Sequence, residues 1–69
     1  MNKTISRIEI ATQNAAGITR QGITVHGPDA CWGNLIAWEL SEAGVPGGDL
    51  VHLCIINTDG SCRYEFFSW

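Results

Sequence analysis

The sequence predicts an α+β fold, strand-strand-helix-strand-strand, with a four-stranded antiparallel sheet and one helix packed on one face. Three observations carry this. Only one stretch, residues 28 to 44, has helical punctuation and helical spacing of its apolar residues. The segments on either side are rich in β-branched residues, which favour strands. Turn residues divide each flank in two, at Gln13-Asn14-Ala15-Ala16-Gly17 and at Asp59-Gly60. At 69 residues the chain makes a single domain with a small core, because a chain this short buries only about 60% of its unfolded surface. With 45% hydrophobic and 16% charged residues it is a globular rather than a disordered composition.

Thr4 to Thr12 reads as the first strand, with Ile8 and Ile10 on one face and Arg7 and Glu9 on the other. Ile5 is out of phase with them, which predicts a bulge or a frayed start. Ile18 to His26 is the second strand, with Ile23 and Val25 sharing a face, and the two segments form a hairpin. The helix should span about residues 30–43, with Asp29 as its N-cap and Gly44 as its left-handed C-terminal residue, followed by Pro46. Trp32, Ile36, Leu40 and Ala43 fall on its core side, with Leu35 at the edge. Cys31 and Trp38 lie further round, near Glu42. Two roles stand open for Trp38, covering the rim of the core or anchoring a partner.

Gly44-Val45-Pro46-Gly47-Gly48 is a linker, since its glycines follow a helix and precede a strand, the reverse of a phosphate-binding loop. Leu50 to Ile56 is an apolar central strand, and Arg63 to Trp69 is the last. A two-residue Asp59-Gly60 loop sets Ile55 opposite Tyr64, Leu53 opposite Phe66 and Val51 opposite Ser68. A one-residue slip would place Arg63 and Glu65 opposite Ile55 and Leu53, which argues against it. The other face then carries Leu50, His52, Cys54, Ile56, Arg63, Glu65, Phe67 and Trp69, a greasy surface for a small monomer. Strand order is left open.

Chemistry is sparse. The three cysteines are an odd, unpatterned set, which points to reduced thiols rather than a disulfide framework. His52 and Cys54 share a strand face, but no Cys-x-x-Cys or His-x-x-x-His spacing occurs and Cys62 is expected to point the other way. No catalytic residue, metal ligand or cofactor is assigned. Glu39 and Glu42 are helix neighbours that read as a solvated ridge rather than a catalytic pair. No apolar run is long enough for a membrane span, and Met1-Asn2-Lys3 leads into no apolar signal core.

Charge is the informative feature. The net charge is −3, yet the interval from 21 to 62 holds Asp29, Glu39, Glu42, Asp49 and Asp59 with no Lys or Arg. That disfavours direct nucleic-acid binding and favours a basic protein surface. The expected contact residues are Asp29, Trp38, Glu39, Glu42 and Asp49.

A short, acidic, thiol-containing chain with this element order and no active site resembles the small inhibitors of phages and mobile elements, most of all the anti-CRISPR proteins. The resemblance covers size, acidity and element order, and carries over no residue. It implies an inhibitor in the cytoplasm of a host cell that blocks a CRISPR-Cas effector at a surface meant for nucleic acid, as a monomer or homodimer. A regulatory domain that dimerises through the outer sheet face is the alternative, and a small Cys- or metal-dependent enzyme the third.

Overall fold

The computed structural model describes residues 3–69. The reading of Met1 and Asn2 as no part of a secretory leader lies outside them. The strands are β1 (Thr4–Asn14), β2 (Gly17–Pro28), β3 (Leu50–Asn57) and β4 (Cys62–Ser68), with helix α1 (Trp32–Glu42) between β2 and β3. They form one antiparallel sheet in the order β2-β1-β3-β4, so the link through α1 crosses over β1. The element order and the α+β class are those the sequence predicts.

The first hairpin runs further than expected, with Asn14 paired to Gly17 and only Ala15 and Ala16 in the turn. Asn14 Oδ1 accepts the Ala16 N–H at 2.8 Å, so the turn is tied by a side chain as well as by the ladder. The register shifts between Ile5 and Arg7 against both neighbouring strands. This bulge at Ser6 rephases β1, so that Ile5 joins Ile8 and Ile10 on the inner face despite its parity. Ser6 Oγ donates to the Ile56 carbonyl at 3.2 Å.

Asp29 does not cap α1. It opens a single 3-10 turn, Asp29–Cys31, and Cys31 takes the cap position with no side-chain hydrogen bond. The Asp29 carboxylate turns instead to the β4 arginine described below. The C-terminal end follows expectation. Gly44 is left-handed at φ +70, its N–H donates to the Ser41 carbonyl, and the Val45 N–H donates to that of Leu40, which together close the helix in a Schellman motif. Ile36 and Leu40 are buried, while Trp32 and Leu35 are half-buried at the flanks. Ala43 is exposed, because the helix has already ended when its turn on the core face comes round.

The core consists of Ile5, Ile8, Ile10, Ile36, Leu40, Val51, Leu53 and Ile55. At about 25 cal/mol per Å² of apolar surface, burying such side chains is the main force holding helix to sheet.

The expected register of the second hairpin is corrected. The observed pairs are Ile55 with Arg63, Leu53 with Glu65 and Val51 with Phe67, one residue away from the expected set. The loop has three residues, not two. Asn57 and Ser61 close it, with the Asn57 N–H donating to the Ser61 carbonyl at 2.8 Å, and Gly60 takes φ +87. Asp59 Oδ1 braces it by accepting the Ser61 N–H and hydroxyl at 2.9 and 2.6 Å. These bonds hold the Asp59 carboxyl below its usual range, the Ser61 hydroxyl contributing most.

The extra loop residue turns β4 over. Arg63 and Glu65 face inward, and Tyr64, Phe66 and Cys62 face outward. The inner charges are tolerated because β4 is an edge strand beside the helix start. Arg63 Nη2 lies 3.2 Å from Asp29 Oδ1, its Nε lies 3.6 Å from Glu65 Oε2, and its guanidinium sits 5.9 Å from the Trp32 ring centroid. Beyond it, Trp32 meets Phe67 at 6.1 Å between centroids, and Trp69 Nε1 donates to the Val45 carbonyl at 3.0 Å.

Candidate interaction surfaces

The fold makes a slab with two different sides. Asp29, Glu39, Glu42, Asp49 and Glu65 lie on the helix side of the sheet, where Asp49 is buried and Asp29 and Glu65 both face Arg63. On the bare side stand Arg7, Arg20 and Glu9, a balance of +1.

The five expected contact residues do not act as one group. Asp49 is buried, at 8% exposure, and its Oδ2 accepts from Asn14 Nδ2 at 3.1 Å, tying the end of β1 to the loop before β3. Asp29 is half-buried and taken by Arg63. In both, a partner distant in sequence engages the carboxylate. Trp38, Glu39 and Glu42 remain together. Trp38 is 70% exposed and points directly away from the Ile36 and Leu40 face, so it does not cover the core. Asn34, Ala37 and Ser41 surround it, and Glu42 follows one turn on. Glu39 is half-buried on the helix flank. The result is an indole in a low polar setting with a carboxylate beside it.

Among the described residues, the bare side of the sheet holds the other four exposed large hydrophobic residues, Ile18, Leu50, Tyr64 and Phe66. Its residues form cross-strand rows. One row reads Arg20, Ala11, His52, Phe66, and the next Gly22, Glu9, Cys54, Tyr64. His52 Nε2 meets Gln13 Oε1 at 3.2 Å, so Nε2 donates there, and Nδ1 accepts the Tyr64 hydroxyl proton. Arg7 Nε contacts Glu9 Oε1 at 2.6 Å, and the guanidinium lies where a Cβ on Gly22 would stand. A shallow hollow of about 180 Å³ remains around Ala11, walled by Glu9, Arg20, His52 and Tyr64. Sequence reasoning placed His52 and Cys54 on this face but missed Tyr64, Phe66 and Cys62, which the hairpin register exchanges for Phe67, Trp69 and Arg63.

The chemistry available here is limited. Both ring nitrogens of His52 are engaged, and neither by a thiol. Partial burial, then the adjacent Cys62 thiol and the Glu9 carboxylate, raise the Cys54 pKa and so keep its reactive thiolate form scarce. Cys31, Cys54 and Cys62 are all free, and among the described residues no three metal-ligating side chains cluster. Among those residues no helix is long and apolar enough to cross a membrane. Family models, curated proteins and solved structures offer no match to this chain.

Proposed function

We propose that this protein is a small non-enzymatic inhibitor that docks its outward helix face on a protein whose basic surface normally holds nucleic acid. One observation supports this above the others. Trp38 is the most exposed large apolar residue among those described, and it stands on the outward helix face, with Glu42 one turn on, rather than at the margin of the core. An isolated exposed indole costs little in the free protein and becomes an anchor once a partner desolvates it. Glu42 and Glu39 add long-range attraction to a basic partner, which speeds encounter and confers salt sensitivity. Asp29 and Asp49 drop out of the contact set, since their carboxylates are already bound within the fold. The occupied His52 ring and the poorly ionised Cys54 favour binding over catalysis.

The particular target suggested by the likeness to anti-CRISPR proteins, a CRISPR-Cas effector, belongs to this proposal. Purified effector complexes, assayed for target-DNA binding with and without the protein, test it. The expected result is loss of DNA binding by the effector, relieved by Trp38→Ala and weakened by Glu42→Lys or added salt. Inhibition unchanged in both folded variants would remove the helix face from the mechanism. For any other basic partner the same two variants and competition by free DNA give the same decision.

A further inference from the structure

We propose that the bare face of the sheet is a homodimer interface, joined face to face by a two-fold axis lying in the interface and running parallel to the strands between β1 and β3. This surface lies opposite the helix and does not depend on the helix reading.

The argument begins with shape. The β3–β4 half of the face is a ridge, built from His52, Tyr64 and Phe66, with the His52 ring 4.7 Å from that of Phe66 and 6.1 Å from that of Tyr64. On the β2–β1 half the surface dips at Ala11, between Arg20 and Glu9 and beside the His52 and Tyr64 rings. A two-fold along the strands exchanges the halves and keeps the rows. It sets His52 of one copy over Ala11 of the other, and Phe66 over Arg20. A two-fold across the strands would instead set ridge on ridge and leave the hollow empty, forfeiting contacts that close packing supplies.

Charge agrees with shape. Arg20 makes no ion pair among the described residues. In the first arrangement it meets an aromatic ring of the other copy, a favourable cation–π contact, and not a second Arg20. The Arg7–Glu9 pair is already neutralised within each copy. Area agrees as well. Four strands about 4.8 Å apart, each presenting about seven residues, make a face of roughly 20 by 20 Å. Two such faces bury on the order of 1,000 Å², the lower end of specific interfaces and consistent with a dissociation constant in the micromolar range. A single nucleic-acid strand would also use the rings, but one unpaired arginine offers it little phosphate charge, the term that dominates such affinity.

Sedimentation equilibrium of the full chain over the micromolar range tests this. The expected result is a reversible dimer. Tyr64→Ala and Phe66→Ala should each weaken it at least about tenfold, and Ala11→Arg, which fills the hollow, should abolish it. Tyr64 and Phe66 are 63% and 53% exposed on an edge strand, so these variants keep the fold even if Ala11→Arg does not. Trp38→Ala should leave the dimer unchanged. A monomer throughout, a dimer indifferent to Tyr64→Ala and Phe66→Ala, or a monomer that binds oligothymidylate through the same rings would each overturn the proposal.

Discussion

The inner and outer faces of this sheet are built from the same four strands, by alternate residues of the same segments, and they meet opposite fates. Ile5, Ile8, Ile10, Val51, Leu53 and Ile55 face the helix with at most 2% of their surface exposed. Ile18, Leu50, Tyr64 and Phe66 face the other way and keep 37% or more. Hydrophobicity alone does not distinguish them; a helix covers one set, and none of the described residues covers the other. An apolar residue in a strand is therefore covered or left open according to what the fold lays over its face.

The contrast can be tested from its strong end to its weak end. Leu40→Ala removes the side chain at the centre of the covered face and should cost about 2–5 kcal/mol in a urea melt, a large share of a small domain's stability. A loss below half of one would mean the helix does not seal this face. Arg63→Ala tests the charged rim, where the intruding cation shields a half-buried Asp29 oxygen that has no hydrogen-bond partner. Its removal should cost on the order of 1 kcal/mol, since Arg63 is partly exposed and screened. Arg63→Met, which retains the packing on Trp32, should recover part of the loss.

The register that separates the faces rests on the β3–β4 loop, and pH probes it. The Asp59 carboxyl is lowered by Ser61, so its contribution is present above the unfolded-state pKa and is lost as pH falls through the lower folded-state value. Ser61→Ala, which removes the hydroxyl but leaves the backbone N–H, should raise the Asp59 titration, followed by carboxyl-carbon NMR, toward the ordinary range. An unmoved titration would mean that Ser61 does not brace the loop. Timed alkylation of the native protein reads the outer face, and Cys54 should react more slowly than Cys62 because its thiol pKa is raised by partial burial and by its neighbours. Equal rates would show an unshielded Cys54. The smallest effects belong to the uncovered side chains. Trp38→Ala and Tyr64→Ala, measured in dilute monomer, should change stability by no more than about 0.5 kcal/mol.

Legibility in the sequence follows the range of the interactions concerned. The helix end, the first hairpin and the irregularity at Ile5 were readable because glycine placement and residue parity act within a few positions. The second register was not. Phe66 and Phe67 make β4 equally apolar in either phase, and only the three-residue loop and the Arg63–Asp29 pair choose between them. Trp38 was recognisable as lying off the core stripe from helical spacing alone. That the Asp29 and Asp49 carboxylates are engaged within the fold was not foreseeable, because it depends on Arg63 and Asn14, residues 34 and 35 positions away.

The strand order has a kinetic consequence. β1–β2 and β3–β4 are local hairpins of a kind that closes in about 1–10 µs. The seam between β1 and β3 joins residues as distant as Ile5 and Asn57, and it forms only after the intervening chain has been gathered in. Until then the two future centre strands are both edges, each with a row of backbone donors and acceptors open to any neighbouring chain. Closure of that one seam therefore sets how long a newly collapsed molecule is exposed to misassembly, and refolding at rising protein concentration is where a slow seam first becomes visible.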